Sequence, residues 1–355
     1  MSKPRGISAS RGAAVLGLSE FQTPLEVWQR ITEEREPGFN ARNGYEMPPE
    51  PNSAAIRWGT AFEDAVIELA ERERGKKIFD REGLYTKIDL GLHNKPSDGF
   101  ITCHIDGRYD CGEYECPNGF TLHEGKTTSI MAYREKWGEP GTDCIPRVYQ
   151  IQVQHQMLCT GAREVIVSVL VFPETPDKWE KDGWEVREID EGEYALIHSI
   201  DNKNGSITQH FVEIKKWASV LCEMGYFHQY TVKANPAVQE MLVKHYTDFW
   251  NNHVLTGKPP EPRNYEDIKR LLTEPVGTII CDTQMTAWFL EYKSINKEIG
   301  KTGNAQKRKD KLRLRIMDKT RKLNAVIDDE SQEKIIYRDT QGNKLGQYSK
   351  AGGFR

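Results

Sequence analysis

The sequence predicts a mixed α/β fold, and three stretches carry that prediction. Residues 55–77, AIRWGTAFEDAVIELAERERGKK, repeat apolar side chains at helical spacing. Residues 84–126 are strand-like, with short runs FITCHIDG, RYDCGEYE and FTLHEGK separated by Asp-Gly and Cys-Pro-Asn-Gly turns. VYQIQVQHQMLCTG, 148–161, is helical up to Gly161, and EVIVSVLVF, 164–172, is a continuous apolar run of the kind buried on both faces of a sheet. The order is helix, strand, strand, helix, strand.

The remaining elements follow in turn. ISASRGAAVLG, 7–17, reads as a short helix, with Ser8 or Ser10 as cap and Gly17 as terminator. FQTPLEVWQRITEE follows, with Thr23 as cap, Pro24 in the first turn and an apolar stripe at Leu25 and Trp28. Residues 38–53 are rich in Gly, Pro and Asn and read as a loop. In the helix at 55–77, Phe62, Val66, Leu69 and Ala70 form the buried stripe. Glu63 borders it, while Asp64, Glu68 and Glu71 cover the solvent side. A carboxylate in that position ordinarily pairs with a base and does nothing chemical. DGWEVREID is a further strand, 207–255 reads as mainly helical, and the Pro-rich stretch 257–263 marks a boundary. Beyond it, 283–329 reads as one long polar helix and the tail from Lys334 as a small hairpin. The expected division is a domain at 1–262 and an extension at 263–355.

The bulk numbers fit a soluble globular protein: 355 residues, 37% hydrophobic and 29% charged. No leader-like or membrane-spanning apolar run is visible. Seven scattered cysteines suit reduced thiols in a cytoplasm better than a disulfide framework. The spacing of Cys103, Cys111 and Cys116 matches no iron–sulfur pattern. Net charge is −4, yet residues 301–322 are strongly basic. That run is either a solvated helix face or a contact for a phosphate backbone.

Chemistry concentrates at HEGK, 123–126. On a strand, Phe120, Leu122, Glu124 and Lys126 share one face, apolar first and then charged. Opposite charges in line with core residues cost desolvation unless something uses them. Asp106 ends the preceding strand. Asp106 and Glu124 from neighbouring strands can hold a hard divalent cation, with Lys126 near its water, an arrangement suited to phosphodiester hydrolysis. His104, His123 and His155 lie nearby and read as packing or DNA-contact residues, because such sites prefer oxygen.

Asp106 followed by Glu124-x-Lys126 resembles the PD-(D/E)xK nuclease signature. ISAS, WGTAFED, CHIDG, HEGK and QVQHQM, in that order over residues 5–172, resemble the lambda-type phage exonuclease and YqaJ-like viral recombinase family. DFWNNHV, KPPEP and the basic helix with its hairpin resemble longer YqaJ-like members. The resemblance implies a restriction-endonuclease-like core, a mixed central sheet flanked by helices, with a mainly helical C-terminal extension. It implies a Mg²⁺-dependent 5′→3′ exonuclease on linear double-stranded DNA, with Mn²⁺ as a substitute. Mononucleotides are released and a 3′ single strand is left for an annealing recombinase, in the cytoplasm of a bacterial host of a phage or prophage. A homo-oligomer, with a trimeric ring as one form, belongs to the same expectation.

Carried over by residue, the resemblance makes Asp106, Glu124 and the Gly125 carbonyl metal ligands. Glu63 binds the metal region directly or through water. Lys126 activates or orients the attacking water. Gln152 positions the nucleophile or the scissile phosphate, with Tyr149 one turn before it. The helix opened by Ser8 and Ser10 offers amides to a 5′-phosphate, and Arg5 or Arg11 supplies a cation.

The chain departs from the family pattern in two places. Ile105 stands where proline is usual, and Gly125 where an apolar residue is usual; neither removes a ligand. Competing expectations are a structure- or site-specific endonuclease on the same core, a catalytically inactive DNA-binding recombination scaffold, and a partner-docking role for 283–355.

Overall fold

Caps and glycines set the helix limits. The computed structural model describes residues 6–81, 83–86, 99–109, 120–201, 207–271, 277–298, 303–323, 334–349 and 353–354. A two-residue strand β1 (Ile7–Ser8) leads into α1 (Ala9–Val15), and Gly17 at φ 68° turns the chain after it. At α2 (Pro24–Arg35) the Thr23 hydroxyl accepts the Glu26 N–H at 3.2 Å, and the Glu26 carboxylate accepts the Thr23 N–H at 2.9 Å. This is a reciprocal capping box. The stretch 38–53, expected as loop throughout, holds a single turn, α3 (Phe39–Arg42). Ser53 caps α4 (Ala54–Arg74), and Gly75 ends it in a left-handed conformation.

The chain forms two compact units, residues 1–19 with 49–248, and residues 20–48 with 249–355. This differs from the division at 262: residues 20–48 and 249–262 group with the C-terminal segment. Within that second unit Trp28 of α2 donates its indole N–H to the His253 carbonyl at 2.9 Å, and Thr23 bonds Asp267 at 2.8 Å. These contacts lie more than 200 residues apart in sequence, so no local pattern announces them.

In the first unit, β2 (Ile78–Phe79), β3 (Leu84–Thr86), β4 (Ile101–His104), β5 (Gly107–Tyr109) and β6 (Thr121–Ser129) follow α4. Then come α5 (Ile130–Lys136), α6 (Arg147–Thr160) and β7 (Glu164–Phe172). α7 (Pro176–Lys181), β8 (Trp184–Asp190), β9 (Glu193–Asp201) and β10 (Ile207–Glu213) precede α8 (Ile214–Glu223), β11 (Phe227–Lys233) and α9 (Pro236–Phe249). The stretch 207–255 is mainly helical, as expected, but it also holds two strands. ITQHFVE pairs with β9, and FHQYTVK becomes an edge strand on β7, where its alternating Tyr230 and Val232 are buried.

The main sheet runs β11-β7-β6-β5-β2. Only β6 and β7 are parallel in it, with α5 and α6 lying between them in sequence. This is the expected mixed central sheet, with helices on both faces. Smaller sheets β1-β4-β3 and β10-β9-β8 accompany it. β7 is apolar on both faces because both are covered. Val165, Val167, Val169 and Val171 pack with Val153 and Met157 of α6, whereas Leu170 and Phe172 pack with Phe62 and Leu69 of α4.

In the second unit α10 (Tyr265–Leu271) and β12 (Gly277–Ile280) precede α11 (Thr283–Glu298) and α12 (Gly303–Arg321). The single helix expected over 283–329 is thus two. Glu291 pairs with Arg308 and Asp282 with Lys319, so the helices run antiparallel. Each buries one face: Met285, Phe289 and Ile295 against Leu312, Ile316 and Met317. β13 (Ile335–Arg338), β14 (Lys344–Ser349) and β15 (Gly353–Phe354) contain the expected hairpin, which β12 extends by pairing in parallel with β13.

The α4 core is aromatic. The Phe62 ring lies 5.0 Å from Phe172 and 5.7 Å from Trp217, both edge-to-face, and 6.1 Å from Trp58. Phe62→Ala is expected to cost about 3–5 kcal/mol in chemical denaturation. A loss under about 1 kcal/mol would mean that this cluster is not the anchor of α4.

Candidate functional site

The site forms where β5 stops pairing with β6. Their ladder ends at Gly107 opposite His123. The next outward amide of β6, that of Gly125, has no β5 residue opposite it, and Asp106 Oδ2 accepts it at 2.7 Å. A buried amide needs a partner, and here a carboxylate takes the place of a strand carbonyl. Asp106 stands where the chain leaves β4 in one sheet and enters β5 in another. Gly107 permits this crossing: a Cβ there would lie 2.3 Å from Ile78 Cγ2.

α4 lies close along the same strand. A Cβ on Gly125 would stand 3.2 Å from Val66 Cγ1, and one on Gly59 would stand 3.5 Å from the Thr127 hydroxyl. Glu63 is four residues after Gly59 and three before Val66, so it shares the helix face that meets β6. Gly125, one of the two departures from the family pattern, lets the helix come this near.

Glu124 is 1% exposed, on the face of β6 toward α6. Its Oε1 accepts the Lys126 ammonium and the Gln152 amide, the latter at 2.5 Å. Its Oε2 accepts the Gln156 amide at 2.5 Å. Gln152 and Gln156 are one turn apart on α6, so each serves one oxygen. Gln156 did not emerge from the sequence. The signal was there in QVQHQ, whose first and last glutamines share a helix face. The Gln156 Oε1 is buried without a partner among the described residues.

Charge is concentrated here. Burial, then the charge of Glu124, with a smaller push from Glu63, raises the Asp106 carboxyl to about 8, against Lys126 and the Gly125 amide. Burial opposes the Lys126 ammonium, but Glu124, Asp106 and Tyr149 outweigh it and raise its pKa. The Lys126 Nζ sits 5.2 Å from the Tyr149 ring centroid. Glu63, Asp106, Glu124, Lys126, Gln152 and Tyr149 therefore belong to one neighbourhood.

The other expected residues stand apart from that geometry. Ser8 is the N-cap residue of α1, but its hydroxyl meets Ser10 at 3.1 Å rather than a helix amide, and α1 is seven residues long. Arg11 bonds the Gly6 carbonyl at 3.4 Å. Arg5, Cys111 and Cys116 lie outside the described residues. His155 is held between the Thr102 carbonyl at 2.9 Å and the Tyr246 hydroxyl at 3.3 Å. His123 is buried edge-on against Tyr109, and burial, aided by the Lys126 charge, pushes its pKa down to about 3. A cavity of about 330 Å³ at the C-terminal end of α4 includes none of the site residues.

Among the described residues no three His, Cys, Asp or Glu side chains gather as a ready-made ligand cluster. A Mg²⁺ ion does not require one, since it binds through one or two carboxylates and keeps several waters. A carboxylate has about four lone-pair positions. Three are used on Glu124 and one on Asp106, so both retain capacity. All donors are oxygen, and the carboxylates outnumber the single lysine. The set fits a hard divalent cation.

Fold and site define a mixed α/β domain with an acidic notch and a paired lysine at an interrupted sheet edge. Residues 2–163 match the model of the YqaJ-like viral recombinase domain. The uncharacterized protein YqaJ of Bacillus subtilis (strain 168) is 28% identical over 173 residues, 48% of this chain and 45% of that protein. The chain thus spans about half the length of this curated relative. An alkaline exonuclease from Laribacter hongkongensis is 15% identical, with a TM-score of 0.41 over 72% of this chain and 90% of that one. A phage related exonuclease from Haemophilus somnus 129PT is 11% identical, with a TM-score of 0.41 over 71% of this chain and 96% of that one. No described helix is long and apolar enough to cross a membrane.

Gln156→Leu leaves a buried Glu124 oxygen without its donor. It is expected to cost about 1–3 kcal/mol in denaturant unfolding, and more than Gln152→Leu, because Gln152 is only half-buried. Equal small losses for both would contradict the clamp on Glu124.

Proposed function

We propose that the protein is a Mg²⁺-dependent 5′→3′ exonuclease that acts on linear double-stranded DNA. The observation that carries this reading is the Asp106–Gly125 bond, which brings the Asp106 carboxylate beside the Glu124/Lys126 strand at an open sheet edge. The match of residues 2–163 to the YqaJ-like viral recombinase domain model supports a DNA substrate in recombination.

In this reading Asp106 and Glu124 hold the cation, with the Gly125 carbonyl beside them and Glu63 at its margin. When bound, the cation acidifies water and neutralises phosphate charge. Lys126, an ammonium paired with Glu124, is a proton donor rather than a base. It orients the attacking water or a phosphate oxygen and offsets charge that develops in the transition state. Gln152 reaches the same Glu124 oxygen as Lys126, so it fixes where the lysine can point. Tyr149 flanks the lysine on its other side. Gln156 holds the far oxygen and keeps the carboxylate plane from turning. Ser8, Ser10 and Arg11 open the chain's first helix and are the candidates for a 5′-phosphate.

The reading also carries a working setting. Product 3′ strands would pass to a single-strand annealing recombinase, and the working form would be a homo-oligomer.

The test is digestion of a linear 5′-phosphorylated duplex beside a closed circle, in Mg²⁺, with wild type and Lys126→Ala. Mononucleotides from the linear duplex alone, reduced in the variant by at least about 100-fold while DNA binding persists, are expected. Cutting of the circle would replace the exonuclease with an endonuclease. Turnover by Lys126→Ala at the wild-type rate would falsify the site. Ca²⁺ in place of Mg²⁺ is expected to support binding with little hydrolysis, because its looser shell positions water poorly.

A further inference from the structure

We propose that the solvent face of α12 in the second unit is a binding surface for the phosphate backbone of duplex DNA, separate from the notch around Asp106. Residues 301–322 hold ten lysines and arginines against two aspartates, in a chain of net charge −4. The fold turns that local excess into a face. Leu312, Ile316 and Met317 of α12 are buried in the core of the unit. Lys307, Lys311 and Arg315 are exposed. They stand at i, i+4 and i+8, so they form one ridge about 12 Å long.

Many neighbouring cations already have partners. Arg308 pairs with Glu291 at 2.9 Å, Lys319 with Asp282, and Lys322 with Asp318 at 2.9 Å. Asp310, the exposed acid beside the ridge, accepts from Gln306 at 2.9 Å and lies 4.0 Å from Arg313. Among the described residues, Lys307, Lys311 and Arg315 have no acidic partner; Arg315 only overlies Trp288, at 6.0 Å. A ridge of unpaired cations between neutralised ones is complementary to a polyanion.

Chemistry selects the polyanion. A membrane-surface helix needs an apolar face to insert, and the apolar face of α12 is spent on the core. Single-stranded nucleic acid is gripped by aromatic rings on which bases stack. Here the rings beside α12 are occupied: Trp288 by Arg315 and Lys319, Tyr292 by Lys309 at 5.3 Å, and Tyr265 by Arg313 at 4.2 Å. What remains is a straight cationic ridge, which suits duplex backbone without base readout.

The experiment is metal-free, so it reads binding whether or not the nuclease reading holds. The full chain and its Lys307→Gln/Lys311→Gln/Arg315→Gln variant are titrated in EDTA with blunt duplexes of unrelated sequence and with single strands, over a range of salt. Expected are a weaker duplex affinity by about the same factor for every sequence and a log–log salt slope shallower by about 1 per residue removed. The conservative Lys307→Arg/Lys311→Arg variant should bind like wild type. Unchanged duplex affinity and slope in a variant with the wild-type melting curve overturns the proposal. A loss confined to single strands also overturns it. If the triple variant does not fold, Lys311→Gln alone must still lower the slope by about 1, and an unchanged slope there is equally fatal.

Discussion

One broken ladder organises the first unit. β5 pairs with β6 only as far as Gly107 and His123. Had it continued, a backbone carbonyl would have met the Gly125 amide and Asp106 would have no reason to point there. The early end of β5 leaves a polar group that must be satisfied, and the carboxylate that satisfies it is thereby fixed beside Glu124 and Lys126. A backbone accounting requirement thus brings an acid and an amine–acid pair together without any loop to hold them.

The cost of that gathering is charge in a dry place, and the surrounding residues answer it. Glu124 is buried but receives three donors from β6 and α6. Removing water from a carboxylate without such donors costs several kcal/mol. Asp106 has fewer, and it is the group whose carboxyl is driven up to about 8, by burial and by its acidic neighbours. The imbalance is local and unresolved by the protein's own cations.

The sequence showed much of this and hid the rest, for physical reasons. α4 was legible from its apolar stripe between Ser53 and Gly75, α6 from a helical run closed by Gly161, and β7 from its unbroken apolar residues. Asp106, Glu124 and Lys126 were legible because charge in register with core residues is costly. Gln156 was not singled out, because the shared helix face of the first and last glutamines of QVQHQ gains meaning only once the helix is set against Glu124. β10 and β11 were misread because short amphipathic strands become strands by pairing with β9 and β7, not through their own propensity. The grouping of residues 20–48 with the C-terminal segment was hidden for a related reason. Thr23, Trp28 and Glu26 meet Asp267, His253 and Arg270, and no window of sequence contains both sides.

Gly125 shows how a departure from a family pattern can be read physically. A side chain there would press on Val66 and approach the Asp106 carboxylate, 3.5 Å from its Cβ position. Its absence lets α4 settle against β6 and sets Glu63 over the same segment that carries Glu124 and Lys126. In a strand interior glycine gives up packing and adds backbone entropy. Here the close helix contact, itself backed by the Phe62, Phe172 and Trp217 rings, offsets that loss. The glycine and the aromatic cluster are then parts of one arrangement: the rings hold the helix down, and the missing Cβ gives it somewhere to go.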